Sequence, residues 1–430
     1  MPIPLQWFAF PVNVILMLTL IFAAYLISII PKTRKFSEWL SSDTAFISAL
    51  ILLMAGCLII GLVPQQHSGC VVTLWNRFYQ SWILAAAISY LFIILILRTI
   101  CLFRQKQWKS TAGRIVLHIG LITILIGGYY GVPDEETCRM DLSNLAFNNQ
   151  VVNTRTEHLQ LFPYTLKTSK IEEEKYTSGQ PKRITAHLVV KEGGTERLVA
   201  IQAGHPLRLR PYALHLRQYR NQGMFSFCSL LIIKNPWRWW IHIGMGLLLL
   251  GCLLEMQKKQ YLILLGLSVI TAIIFLIIKL LKPDIFHREL MPALQSDWFI
   301  PHVTLYMMSF LLLAISFIIC TIWIFKKNEN LLQGSDDWMR AGLALFIAAM
   351  LIGSIWAEAA WGHFWTWDLK ETWALITTGI YIIYLKYRAI PRHNDGIACM
   401  WHILAFLALQ ICWYGVNYLP GAIDSVHIYH

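Results

Sequence analysis

Of 430 residues, 57% are hydrophobic and only 14% are charged, which is more apolar sequence than the core of a soluble domain takes up and indicates a helical membrane protein of many spans. The formal net charge of +12 sits largely in short loops between apolar runs. It therefore reads as membrane topology and requires no nucleic acid partner.

Uncharged runs of about 18 to 25 residues, enough to cross a hydrocarbon core of roughly 30 Å, predict an all-α polytopic membrane protein of about ten transmembrane helices. In chain order they are residues 12–30, 44–63, 81–102, 113–131, 237–254, 261–281, 299–325, 339–355, 371–386 and 397–419. The first run lacks a basic leader and a small-residue cleavage site, so it reads as a retained span. If the spans alternate, the basic segments 31–39, 104–114, 257–260, 326–340 and 386–392 all fall on one side, which is the cytoplasm by the retention of positive charge. The opposite face then receives residues 63–80, the long segment 132–236, residues 282–298, a tryptophan-rich stretch and the C-terminal tail.

Segment 132–236 changes character. Alternating patches such as ITAHLVV (184–190) and RLVAI (197–201), with turns at Ser178-Gly179-Gln180-Pro181 and Gly193-Gly194, predict a small antiparallel β-rich domain outside the membrane. Its basic positions Arg208, Arg210, Arg217 and Arg220 read as a solvated sheet face. Of nine cysteines, Cys57, Cys101, Cys252, Cys320, Cys399 and Cys412 lie in or beside apolar spans and behave as small hydrophobes. Cys70, Cys138 and Cys228 face the oxidising side without a Cys-x-x-Cys pair, which indicates neither zinc nor a thiol-redox motif, and that setting allows a Cys70–Cys138 disulfide.

Residues 356–373, WAEAAWGHFWTWDLKETW, place Trp356, Trp361, Trp365, Trp367 and Trp373 beside Glu358, Asp368 and Glu371. Aromatic belts mark any bilayer surface, but this density, spaced by Gly362, exceeds what anchoring needs and points to a surface for a flat aromatic ligand. His302, four residues into its span, and His427, eight residues beyond the last span, flank the same face. Neutral imidazole is a common axial ligand of haem iron, and indoles pack well on a porphyrin. His118 and His402 lie about five residues inside the cytoplasmic ends of their spans, roughly 7 Å deep at 1.5 Å per residue. Ionisable groups within hydrocarbon mark functional sites, and equal depth makes these two a candidate pair. His242 reads as interfacial, and His363 sits in the tryptophan stretch without a helical register.

The stretch WAEAAWGHFWTWDLKETWALIT resembles the WWD signature of haem-handling proteins of cytochrome c maturation, and within them the system II cytochrome c synthases of CcsB/CcsA (ResB/ResC) type. WFIPHVTLYMMS looks like the segment carrying the first external haem ligand, here His302, and YGVNYL followed by VHIYH like the segment carrying the second, here His427. LHIGLITILIGG is similar to the histidine-bearing helix of the CcsB partner, while LFPYTLK, SGQPK and GHPLRLRPYALHLRQY resemble landmarks of its extracytoplasmic domain. The resemblance covers essentially the whole chain and implies a natural fusion. On that resemblance residues 1–131 would form a CcsB-like four-helix membrane part, 132–236 the β-rich domain, 237–281 two connecting helices, and 282–430 a CcsA-like part with the WWD segment 356–373.

That resemblance implies a lyase (synthase) in a bacterial cytoplasmic (inner) membrane, with the β-rich domain, WWD segment and C-terminus periplasmic. It would carry haem b across the membrane and attach it by thioether bonds to the Cys-x-x-Cys-His of apocytochrome c. His302 and His427 would be the external iron ligands and catalytic residues, with Trp356, Trp361, Gly362, Trp365, Trp367, Asp368 and Trp373 as the haem platform. His118 and His402 would be intramembrane ligands. Haem iron would be the only metal, and the partners apocytochrome c, the bilayer and a thioredoxin-like thiol reductant. The chain departs from the family at three positions. Glu358 stands one place before the family's acid, Leu369 replaces a proline, and Lys386 occupies the place of a membrane histidine. Two other readings compete: a haem exporter without covalent chemistry, and a b-type electron-transfer subunit, which the tail position of His427 fits poorly.

Overall fold

The computed structural model describes residues 2–65, 75–105, 107–222, 225–282, 291–422 and 425. The expected landmarks Cys70 and His427 lie outside the described residues. The chain enters through α1 (Val12–Ile29), a short α2 (Arg34–Leu40), α3 (Asp43–Leu62), α4 (Trp82–Arg104) and α5 (Trp108–Leu125), which a π turn prolongs over Ile126–Tyr130. After the sheet follow α6 (Arg238–Glu255), α7 (Lys258–Leu281), α8 (Phe299–Lys326), α9 (Glu329–Trp361), α10 (Leu369–Arg388) and α11 (Asp395–Trp413).

Among the described residues nine helices are long and apolar enough to cross a membrane, which makes this a multi-pass membrane protein. The tenth expected span is present as α10 but is not one of the nine. It carries Lys370, Glu371, Lys386 and Arg388, and it is sheathed by protein: Thr372, Trp373, Ile376, Thr377, Gly379 and Tyr381 are buried, and it packs on α3, α9 and α11. A helix shielded from lipid can carry polar groups, provided they find partners within the bundle. At the opposite extreme, α7 is almost wholly uncovered by protein.

The middle of the chain forms one eight-stranded antiparallel sheet, as the alternation predicts. Its strands are β1 (Glu136–Ser143), β2 (Asn148–Asn153), β3 (Leu159–Lys175), β4 (Pro181–Glu192), β5 (Thr195–Gln202), β6 (Leu207–Leu209), β7 (Tyr212–Gln222) and β8 (Phe225–Lys234), in the order β5-β4-β3-β2-β1-β8-β7-β6. Inward residues such as Met140, Leu166, Leu188, Leu214 and Leu230 give it a core of its own. Cys138 and Cys228 are buried free thiols in that core. The pairing that the sequence allows between Cys138 and Cys70 falls on a residue outside the described ones.

Because α5 leads into β1 and β8 leads into α6, these two helices form the stem of the sheet. A methyl group added at Gly251 of α6 would lie 2.6 Å from the Leu117 nitrogen of α5, and one at Gly244 would lie 2.8 Å from the Ile124 nitrogen. Only hydrogen side chains permit that backbone approach, the small-residue packing typical of membrane helices. Asp134 fastens the top of the stem, accepting from Trp237 Nε1 (2.6 Å), Asn13 Nδ2 (2.8 Å) and the Phe10 amide (2.6 Å).

Candidate functional site

The tryptophan stretch is a helix end, a bend and a helix start. α9 stops at Trp361 because Gly362 takes a left-handed conformation, φ 91°, as a helix C-cap. α10 starts at Asp368, which accepts from the Lys370 amide (3.2 Å), while Glu371 reaches back to the amides of Asp368 (3.2 Å) and Thr366 (2.8 Å). This is a capping box, so Asp368 and Glu371 fix the bend. Within it Trp367 has φ 60°, a left-handed conformation that a bulky residue rarely adopts. Such strain, held by the surrounding bonds, is often stored at functional sites.

The tryptophans fall into separate groups. Trp356 is buried on α9 and lies 4.8 Å from the Trp361 ring centroid, 5.1 Å from Phe299 and 5.6 Å from His302. Trp365 and Trp367 meet edge to face at 6.0 Å. Trp373 faces away, buried against α3 with its Nε1 donating to the Gly61 carbonyl at 3.3 Å. It belongs to the packing of α10 on α3.

His302 lies on α8 and is aimed by α9. Its Nδ1 is 2.8 Å from the Ala349 carbonyl, an acceptor only, so Nδ1 carries the proton and Nε2 the lone pair. The approach is possible because α9 has Gly353 where the ring packs, and any added methyl would strike the imidazole. Tyr306 closes the other side at 4.8 Å. A ligating histidine is commonly oriented by such a bond from its second nitrogen. The tail also returns to this end: Ser425 Oγ donates to Asp368 Oδ2 at 3.1 Å.

The two intramembrane histidines are not brought together. His118 on α5 lies 3.4 Å from Thr99 Oγ1 of α4, and the charges acting on it come from Arg98, Lys386 and Arg114. His402 on α11 is 0% exposed, 3.3 Å from Ser316 Oγ of α8, and walled edge-on by Tyr381 and Tyr384. Equal depth set them at one level, but α5 packs on α4 and α6 whereas α11 packs on α10 and α8. Among the described residues no contact joins the two histidines; Lys386, at the position of the family's membrane histidine, is held with Arg98 by Asp43 at 3.6 and 2.7 Å, and the charges of Arg98 and Lys386 both act on His118.

Sequence reasoning missed the contacts that seat the sheet on this helix end. Arg208 of β6, expected to be solvated, lies 3.5 Å from Glu358, and Arg238 of α6 lies 3.1 Å from the same carboxylate. Glu135, just before β1, accepts from His363 Nδ1 at 2.9 Å. Burial acts to raise the Glu135 pKa, but the His363 bond and the Arg155 charge hold it below the ordinary carboxylate value. His242 packs edge-on to Phe364 at 5.1 Å. His215 of β7 is 3% exposed and presses on Gly362. Its pKa is pushed down to about 3, chiefly by burial and then by the charges of His363 and Arg217. The only sequence signal was a histidine at an inward position of an alternating strand.

The architecture is that of a multi-pass membrane protein whose sheet is seated over an indole-rich helix bend. Residues 98–232 match the ResB-like family, and residues 233–423 match the cytochrome C assembly protein family. The chain thus joins a ResB-like region to a CcsA-type assembly region, consistent with a fused system II CcsB/CcsA protein. Curated relatives named cytochrome c biogenesis protein CcsA agree. That of Guillardia theta is 28% identical over 227 residues, covering 45% of this chain and 75% of its own length. That of Chlamydomonas reinhardtii is 31% identical over 149 residues, 32% of this chain and 42% of its own, and that of Marchantia polymorpha 32% identical over 189 residues, 32% and 59%.

Proposed function

We propose that the chain serves cytochrome c maturation as a haem carrier and synthase. It moves haem b across the membrane and holds it at the tryptophan bend while the two thiols of an apocytochrome c Cys-x-x-Cys-His segment add across the vinyl groups as thioethers. A thioredoxin-like reductant would keep those thiols reduced. In this reading the bend, the sheet and the tail lie on the extracytoplasmic side of a bacterial inner membrane.

The observation that supports the reading is the aim of His302: Nδ1 is bonded to the Ala349 carbonyl, so Nε2 is the nitrogen that would ligate, beside the Trp356–Trp361 pair. When bound, haem supplies the electrophilic vinyl carbons and an iron that takes axial imidazole. His302 and His427, which lies two positions after the tethered Ser425 in sequence, would be the residues that hold the iron. Trp361, Trp365 and Trp367 supply apolar edges that exclude water. Proximity is the main lever for thiol addition at such a site. Lys386 supplies a cation and no iron ligand, so the inner part of the route rests on His118, on which the charges of Arg98 and Lys386 act.

The test is co-expression with an apocytochrome bearing one Cys-x-x-Cys-His, scored by haem stain that survives denaturation. Wild type should label the cytochrome. His302→Ala should lose most of the signal and regain part of it with added imidazole. Bound haem without covalent product in the wild type would favour the exporter reading.

A further inference from the structure

Cys320 of α8 and Cys399 of α11 are 79 residues apart in sequence and 2.7 Å apart at sulfur. That is about 0.7 Å more than the roughly 2.0 Å of a disulfide bond, so the two sulfurs are already in contact. The thiols are 0% and 2% exposed, set among Trp323, Leu332 and Ile403. Alanine or valine would fill that core as well, since a thiol offers only weak hydrogen bonds. What two touching thiols add is dithiol chemistry. Among the described residues no third ligand completes a metal site.

Cys399 lines a groove of about 250 Å³ with Trp323, Lys327, Met400, Ile403 and Leu404. Met400 and Leu404 lie on the uncovered face of α11, so the groove opens toward lipid. At one end the Lys327 ammonium sits 4.3 Å from the Trp323 ring centre, where it can donate to a carbonyl oxygen. Apolar walls with one cationic donor suit a lipid-soluble quinone better than a hydrophilic oxidant.

We propose that Cys320 and Cys399 are a redox-active dithiol, oxidised to a disulfide between α8 and α11 by a quinone entering along this groove. Two S–H bonds break and one S–S bond forms. Two electrons and two protons pass to the quinone, which leaves as hydroquinone, and a dithiol reductant reverses the change. The disulfide would tie the helix that carries His302 to the helix that leads to Ser425. The inference does not depend on the haem reading.

The experiment uses the full chain in lipid nanodiscs, incubated without oxygen with decylubiquinone, then acid-quenched, denatured, alkylated with N-ethylmaleimide and digested for mass spectrometry. The expected result is a peptide linked through Cys320 and Cys399, lost on dithiothreitol treatment and absent from the Cys399→Ser and Cys320→Ala variants. A quinone adduct on Cys399 in place of the link overturns the proposal. So does linkage by diamide but not by the quinone, and so does full alkylation of both thiols after either oxidant.

Discussion

At the scale of single residues, the direction of His302 is decided by a residue with no side chain. Gly353 leaves the space the imidazole occupies, and Ala349 one turn earlier supplies the carbonyl that fixes its tautomer. Gly353→Ala forces the ring off that bond or α8 away from α9, an overpacking that costs roughly 1–3 kcal/mol. The expected outcome is a several-fold loss of haem copurifying with the protein at matched expression, read from the pyridine haemochrome; unchanged haem per chain would remove the geometric argument. His215 yields a second prediction, in pH. Its folded-state pKa of about 3 lies below the ordinary 6.5, so the unfolded chain takes the proton first. The stability carried by the neutral buried ring is then whole above pH 6.5. It declines by up to about 1.4 kcal/mol per unit as pH falls toward 3. Thermal midpoints measured between pH 7.5 and 5 should fall in the wild type and lie flatter in His215→Asn, which cannot titrate; parallel profiles would discharge His215 from the seat of the sheet.

At the scale of elements, the bend depends on the start of α10. Asp368→Ala removes both the cap and the Ser425 tether and should cost about 1 kcal/mol, whereas Asp368→Asn keeps an accepting oxygen and should cost far less. Equal melting temperatures for the two variants would show that the capping box does not hold the bend. The spans were legible because a helix facing lipid must be apolar for a fixed length. α2 was not, being seven residues long, and α9 extends ten residues before its expected start, through Asp336 and Asp337, because a helix can leave the hydrocarbon and continue. The tryptophan stretch was legible from density alone. What stayed hidden was direction: Gly362 divides the indoles, Trp373 turns to α3, and His118 and His402, matched by expected depth, sit on helices that pack on different neighbours. Likewise His363 and Glu135 are 228 positions apart, and no local pattern announces a contact made by docking.

At the scale of the whole molecule, the ResB-like sheet and the assembly-type bend meet through charges largely removed from water. Glu358 is only 5% exposed, and it receives Arg238 of the stem and Arg208 of the sheet edge. Removing one partner of a buried pair typically costs about 3–5 kcal/mol because the other charge is stranded, whereas a solvent-screened pair contributes about 0–1 kcal/mol. The Arg238 side chain is the less exposed of the two arginines, so Arg238→Ala should loosen the seat more than Arg208→Ala, and Glu358→Ala, which strands both cations, should loosen it most. Because the sheet has its own core, a loosened seat should leave it folded. The exposed turn between β3 and β4, around Ser178 and Gly179, should stay equally open to protease in every variant, while the bend at Phe364 and Trp365 becomes newly cleavable. Limited proteolysis of right-side-out and inverted membranes reads this together with sidedness. If the sheet is extracytoplasmic, the β3–β4 turn is cut only in right-side-out preparations, and bend cleavage in Glu358→Ala appears on that same side. Cutting of the turn in inverted membranes alone would reverse the assigned orientation. A bend that stays resistant in Glu358→Ala would show that the ion pairs do not seat the sheet.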